Sequence, residues 1–349
     1  EGNMLITYVR SSSYNNYAYC QMQYFITYVL GHQSDSGKKA ELGTIVHKVM
    51  EVLAGLKKYQ QDKPRVKYLK VNDDAIGAVK FSKDDLYTDD CVEAIADLSF
   101  ESYGKNSKHT WRPADRKEVS KITWLMLKHN DGQFDPRNRD IHHPEPHFDI
   151  AIEEDWAKFE YEMPNGEVLE GQLAIKGTID LVTKVSDDTI EVIDWKTGRR
   201  LDWATGEEKN FEKLMNDPQL LLYYYAISKL YPDFPNRIMS IFFCKDTDGK
   251  IDPQPFSMPF DKSDEARFLE MLRVRFEEIK QNHAPKLLSQ NRTHWKCKSL
   301  CHFCKNDWPE TDQKMCIYIE EHLKKHGMQK TLEECTREGF NIGYYEAPG

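Results

Sequence analysis

At 349 residues, with 40% hydrophobic and 30% charged, the chain has an ordinary soluble globular composition, enough for one large domain or a core with a sizeable insertion. A net charge of −9 argues against sequence-indifferent coating of nucleic acid, which relies on a basic surface, but leaves room for a local basic groove beside an acidic metal site. No apolar stretch approaches the ~20 residues that cross a bilayer, and the start of the chain lacks the layout of a secretory signal. No membrane association is therefore expected, and the expected setting is the cytoplasm of a bacterium or a virus-infected cell. Glu1-Gly2-Asn3 reads as an added leader, with Met4 the expected natural start.

In chain order, residues 11–31 read as a helix: Ser13 can cap it, and Tyr14, Tyr17, Cys20, Tyr24 and Tyr28 recur at helical spacing. A second helix is predicted over 40–57, with Leu42, Val46, Val49, Leu53 and Leu56 as its apolar stripe. Residues 60–147 hold helical patches and a Pro/His-rich loop from Asp140 to His147, and are expected to form a mainly helical insertion. From 148 the pattern turns to strands. Phe159–Met163 and Val168–Leu173 flank Asn165-Gly166, a hairpin signal. Ile175–Val185 and Thr189–Thr197 form the next expected pair, joined at Ser186-Asp187-Asp188.

Asp217-Pro218 opens a helix to about Leu230, since proline suits a first helical position. Ile238–Cys244 and Ile251–Met258 read as a hairpin turning at Asp248-Gly249, and a helix is predicted over 263–282. The expected organisation is thus N-terminal core helices over 1–59, the insertion over 60–147, a catalytic sheet with helices over 148–290, and a cysteine-rich segment with a C-terminal helix over 291–349. This order implies an α/β layered core.

Chemistry concentrates in Ile179-Asp180-Leu181 and Ile193-Asp194-Trp195-Lys196-Thr197-Gly198. Side chains alternate along a strand, so Asp194 and Lys196 project to one face and Ile193 and Trp195 to the other. If the two strands pair, Asp180 lies near that polar face. Two converging carboxylates suit Mg2+ or Mn2+, which polarise a phosphodiester and acidify water, and a nearby lysine can steady developing negative charge. Solvated charges on an exposed strand face are the plainer reading of Asp-x-Lys alone. The strand ending, preceded at a 14-residue interval by Gly-Thr-Ile-Asp, is less common. Gln219 and Tyr223 share one helix face and contact the nucleic-acid backbone, buttress such a site, or pack ordinarily. His47, with Glu51 one turn later, sits beside an apolar stripe, where a histidine is more often structural. His142, His143 and His147 read as a solvated loop.

Together these residues resemble the RecB-like branch of the PD-(D/E)xK nucleases: Gly43-x-x-x-His47, Gly177-x-x-Asp180, Asp194-Trp195-Lys196-Thr197-Gly198 and Gln219-x-x-x-Tyr223 occur in that family's order. The resemblance spans about 10–57 and 150–320 and leaves the insertion unexplained. It implies a restriction-endonuclease-like core, a central mixed sheet flanked by helices. It also implies a metal site of His47, Asp180, Asp194 and the Trp195 carbonyl, catalysis assisted by Lys196, and support from Gln219 and Tyr223.

Cys297, Cys301, Cys304 and Cys316 lie within 20 residues, which in a reducing compartment favours metal over disulfides. Some relatives in the resemblance, AddB-type and CRISPR-adaptation nucleases, carry an iron–sulfur cluster on one early and three late cysteines. This implies Cys20 with Cys297, Cys301 and Cys316, and Cys304 as the alternate, although the late spacing departs from the family's. The competing reading is a local Zn2+ site of the four late cysteines with His294 or His302. The expected activity is cleavage of DNA, as an exonuclease on single strands or ends. The alternatives are a catalytically silent DNA-binding or scaffold subunit and a structure-specific or restriction-type endonuclease. No GxxxxGK[ST] loop occurs, so an unwinding helicase or recombination partner would be a separate chain.

Overall fold

The computed structural model describes residues 2–343. A two-residue strand, β1 (Tyr8–Val9), leads into α1 (Ser11–Tyr19). The single helix expected over 11–31 is broken at Cys20, whose backbone is extended (φ −158°, ψ 109°), and resumes as α2 (Gln21–Tyr24) and a π-helical turn over Phe25–Val29. Cys20 closes one helix and opens the next: its N–H donates to the Asn16 carbonyl, and its own carbonyl accepts from Tyr24 N–H. The long helix α3 (Lys38–Asp62) contains the predicted stripe and buries Val46, Val49, Leu53 and Leu56.

The hairpin β2 (Tyr68–Asp73) and β3 (Gly77–Ser82) and the helices α4 (Asp89–Asn106) and α5 (Pro113–Lys128) pack with α3 around a second apolar cluster, which includes Ile95, Ile122 and Met126 and extends to one face of the central sheet. Asp140–His147, expected as a loop, is largely strand. β4 (Asp140–Pro144) pairs antiparallel with β9 (Leu181–Lys184) at the edge of the central sheet, and β5 (His147–Ala151) starts a second sheet. The prolines there misled the reading: an edge strand tolerates residues without an N–H at its end, and Ile141 supplies the inward apolar contact. The last part of the expected insertion therefore belongs to the central sheet.

β6 (Lys158–Glu162) and β7 (Val168–Gln172) form the predicted hairpin, with Gly166 at φ +82° in its turn. The strand expected to run unbroken from Ile175 to Val185 divides at Ile179-Asp180. β8 (Ala174–Thr178) pairs with β1 and β5, whereas β9 enters the main sheet. That sheet runs β12-β11-β10-β9-β4, with β10 (Thr189–Arg199) and β11 (Asn236–Lys245) parallel and β12 (Ile251–Phe260) antiparallel. Between β10 and β11 come α6 (Phe211–Leu214) and α7 (Pro218–Leu230). α7 is capped by Asp217, whose carboxylate accepts from Gln219 N–H at 2.9 Å.

α8 (Lys262–Lys280) follows, then the short helices α9 (Trp295–Ser299) and α10 (His302–Lys305), and finally α11 (Met315–Cys335). The main sheet is covered on both faces. Ile190 and Val192 join the larger apolar core with α7 and α8, while Ile193 and Trp195 join the core under α3 and the insertion. This is an α/β fold of the restriction-endonuclease type, a central mixed sheet flanked by helices. No helix among the described residues is long and apolar enough to cross a membrane.

Candidate active site and thiol cradle

The alternation predicted for β10 holds: Trp195 and Ile193 are packed into one core, and Asp194 and Lys196 lie on the other side. Leu181 pairs with Ile193, so one step further the break between β8 and β9 sets Asp180 opposite Asp194. Asp180 Oδ2 accepts from Trp195 N–H at 2.8 Å, locking the two acids to one piece of backbone. The Trp195 indole, wedged edge-on against Phe134 and tilted on Phe242, fixes the direction of its own carbonyl. His47 reaches that carbonyl with Nε2 at 2.7 Å and lies 3.6 Å from Asp180 Oδ2. Gly43 marks how closely α3 approaches: a Cβ there would stand 2.6 Å from Thr197 Oγ1, so any larger residue would make the threonine side chain turn at the point where the helix crosses the end of β10.

Asp194 is 2% exposed, and burial, opposed by Lys196 and reinforced by the charge of Asp180, pushes its carboxyl up to about 6. Lys196 Nζ sits 2.8 Å from Asp194 Oδ2 with its side chain 31% exposed. Burial pulls the ammonium down, but Asp194 and Asp180 outweigh it and hold the pKa above the usual lysine value. Gln219 Nε2 donates to Tyr223 Oη at 3.1 Å, and Tyr223 Oη donates to the Thr178 carbonyl at 2.8 Å, directly before the Ile179-Asp180 break. The pair thus supports the acid-bearing turn through its backbone.

Glu51 lies one turn beyond His47 on α3. It pairs with Lys48 at 2.5 Å, and Lys48 also holds Asp73 at 2.7 Å. It also hydrogen-bonds Glu145, a residue the sequence reading missed. Burial, then the charge of Glu51, pushes the Glu145 carboxyl up to about 8. Glu145 adopts φ +47° between Pro144 and Pro146, a strained conformation at the end of β4, beside the site. Its only signal was the Pro-Glu-Pro sandwich, which looks like a loop. His142, His143 and His147 are not brought together: His142 packs on Tyr231 and Phe234, and His147 bonds Thr178.

Cys20, Cys297, Cys301, Cys304 and Cys316 line one cavity, although Cys20 is far from the others in sequence. The corner at Cys20 and the short helices α9 and α10 bring them there. Cys304 shares hydrogen bonds with Cys301 and Cys316, and the first of these is the main reason the Cys301 thiol is lowered to about 6. Burial raises Cys20. Arg292 Nε approaches Cys316 Sγ at 3.4 Å. His294 and His302, candidate ligands of a local zinc site, do not line the cavity: His294 Nδ1 caps α9 at Lys296 N–H, and His302 Nδ1 meets Asn306 and Asp35. Cys91, Cys244 and Cys335 are buried elsewhere.

As they stand, no three His, Cys, Asp or Glu side chains among the described residues close on a single metal position. In the active site His47 and the Trp195 carbonyl hold each other, and in the cradle the thiols do. The oxygen set nonetheless suits a divalent cation, because the buried Asp194 carboxylate lies beside the charge of Asp180 and its Oδ2 is met by the ammonium of Lys196 at 2.8 Å.

Residues 11–307 match the family described as the PD-(D/E)XK nuclease superfamily, and the chain belongs to it. Members of that superfamily generally use divalent metals such as Mg2+. No curated protein matches. Among solved structures, a candidate exonuclease from Eubacterium rectale is similar over 88% of this chain and 90% of that chain, at 11% identity and a TM-score of 0.43. SSO0001 is similar over 83% of this chain and 91% of that chain, at 15% identity and a TM-score of 0.25.

Proposed function

We propose that the chain is a Mg2+- or Mn2+-dependent deoxyribonuclease, working as an exonuclease on single strands or DNA ends. The observation that carries this reading is the buried Asp194 carboxylate set between Asp180 and Lys196, with His47 and the Trp195 carbonyl beside them. A divalent cation held by His47, Asp180, Asp194 and the Trp195 carbonyl would polarise the scissile phosphate and make water a better nucleophile. Lys196 keeps its proton and places a positive charge where negative charge grows on the phosphate. Asp194 holds the ammonium in position, and Gln219 and Tyr223 hold the turn that carries Asp180. The exonuclease reading rests on the RecB-like order of these motifs.

The thiol cradle is proposed to hold an iron–sulfur cluster on Cys20, Cys297, Cys301 and Cys316, with Cys304 as the alternate and Zn2+ as the competing occupant. The donor set supports this: five soft thiols line the cavity and no carboxylate does.

End-labelled single- and double-stranded DNA with Mg2+ or Mn2+ tests the enzyme directly. Cleavage is expected to stop reversibly with chelator. Asp194→Ala is expected to lower turnover by about a thousandfold or more while the protein stays folded. Undiminished wild-type turnover in excess chelator would overturn the metal mechanism.

A further inference from the structure

Past Lys196, the residues Thr197, Gly198 and Arg199 form one wall of a cleft of about 940 Å³, bounded on the other sides by the starts of α3 and α5 and by Trp203, Trp295 and Leu300. A second cleft of about 400 Å³, between α1 and the segment after β10, shares Trp203 and Leu300 with the first. The two clefts therefore meet at that pair of residues and form one trough that ends at the catalytic strand. At Gly198 the trough is open, with nothing within 4 Å of where a side chain would begin.

Where the clefts meet, the surface is aromatic and unpaired with core. Trp203 is 51% exposed, Trp295 54% and Leu300 54%, whereas Trp195, a few residues earlier, is fully buried. Leaving two indoles in water is unfavourable unless something else covers them, and an exposed apolar patch rimmed by polar groups marks an interaction site. The two are held in one frame, since Lys296, next to Trp295, donates from Nζ to the Trp203 carbonyl. The larger cleft carries one excess cation, which Asp202, Lys209 and Asp217 of the smaller cleft cancel, so what matters is which cations are unpaired. Lys38 and Lys245 face Asp115 and Glu118, and Asp248 lies near Arg199, but Lys39 and Arg199 make no ion pair among the described residues.

We propose that this trough binds a single strand of DNA, its bases stacked on Trp203 and Trp295 and its phosphates led past Lys39 and Arg199 to Lys196. The inference rests on the nuclease reading and deepens it by naming the residues that select unpaired bases. A duplex keeps its base faces against one another, so only a single strand can offer them to an indole, and stacking of this kind tolerates any sequence. Phosphate neutralisation by a few cations on an otherwise acidic protein gives binding that weakens with salt, without general affinity for duplex.

The test uses the full chain carrying Asp194→Asn, which silences cleavage, and fluorescein-labelled strands read by anisotropy. Oligo(dT) is expected to bind and to quench tryptophan fluorescence. Trp203→Ala and Trp295→Ala are each expected to weaken oligo(dT) binding by about tenfold. Trp203→Phe and Trp295→Phe should restore most of it, and binding to a duplex of the same length should change little. Oligo(dT) binding unaffected by both alanine changes together, an equal loss on duplex, or tighter binding of oligo(U) RNA would each overturn the proposal. Tryptophan-dependent binding by a wild-type chain that never cleaves would support the trough and sink the hydrolytic reading. Cleavage by a wild-type chain whose binding ignores both tryptophans would do the reverse.

Discussion

The active site and the thiol cradle each join distant parts of the chain, but they are built from different material. Asp194 sits on β10, an 11-residue strand paired on both sides and buried on both faces, and Asp180 stands just before β9, tied to β10 through the Trp195 N–H, so their geometry is fixed by the sheet. Of the cysteines, Cys20 sits at a helix break, Cys297 and Cys304 on helices of 5 and 4 residues that are too short to be stable on their own, Cys301 between those two, and Cys316 at the start of the long α11. The first site is preorganised for chemistry. The second is a set of fragments that something must clasp, and the cavity-facing thiols are what they have in common. This difference predicts where function and stability separate.

The sharpest separation is Lys196→Ala. The lysine contributes charge near the reacting phosphate and little to packing, so the rate is expected to fall by about a hundred- to a thousandfold. Metal affinity, oligonucleotide binding and, in saturating Mg2+, the melting temperature should stay near wild type, since the bound cation then answers the buried Asp194 charge that Lys196 answers without it. Single-turnover cleavage beside a thermal melt checks both halves, and near-normal activity would remove Lys196 from the mechanism.

The cradle should behave in the opposite way. Cys20 and Cys297 are 277 residues apart, so a shared metal closes a very long loop and restrains the unfolded chain. Cys20→Ser is expected to lose most bound iron and acid-labile sulfide and to destabilise the fold by up to roughly 5 kcal/mol, the chain-entropy scale of a cross-link that closes so long a loop. Metal analysis of anaerobically purified protein and denaturant unfolding decide it. One equivalent of zinc with an unaffected Cys20→Ser protein would make the cradle a local C-terminal site.

A third comparison concerns charge. The folded-state pKa of Asp194 is raised from 3.8 to about 6, so the folded protein binds this proton more tightly than the unfolded chain does. The ionisation penalty is absent below the unfolded value and fully present above about pH 6, so this residue's contribution to stability falls as pH rises between them. In chelator at pH 7.5, Asp194→Asn is therefore expected to melt higher than wild type, and the gap should close toward pH 4. Added Mg2+ should stabilise wild type and leave the variant unchanged. A variant that melts lower in chelator would mean that Asp194 is held mainly by Lys196.

Much of the candidate site's geometry was legible because β-strand alternation is a strict two-residue rule, and α7 announced itself through Asp217-Pro218. What escaped was decided by tertiary contact. The break at Ile179-Asp180 looks like continuous strand in sequence, because Ile179 is as apolar as its neighbours. It ends β8 because the next residues pair in a different sheet. The corner at Cys20 was hidden by tyrosines that keep helical spacing across it. Glu145 and β4 were masked by prolines and histidines that usually mean loop. The family match covers the sequence through residue 307, so it includes α9 and α10 but says nothing about which cysteines bind metal.

The smallest effect tests the seam between the two kinds of construction. Tyr223 lies on a buried helix, yet its hydroxyl reaches the Thr178 carbonyl at 2.8 Å and accepts from Gln219 at 3.1 Å. Tyr223→Phe removes one oxygen and keeps the ring, including its edge contact with Phe148. It leaves a carbonyl and an amide without partners, a loss of about 1–2 kcal/mol. If that carbonyl positions the turn, Asp180 should shift relative to Asp194, and turnover should fall several-fold with a larger metal requirement. Gln219→Ala should give a milder version, because the Tyr223 bond to Thr178 remains. A Tyr223→Phe enzyme that loses stability but keeps both kcat and its metal midpoint would show the hydroxyl to be a packing device, with the sheet alone fixing the acids.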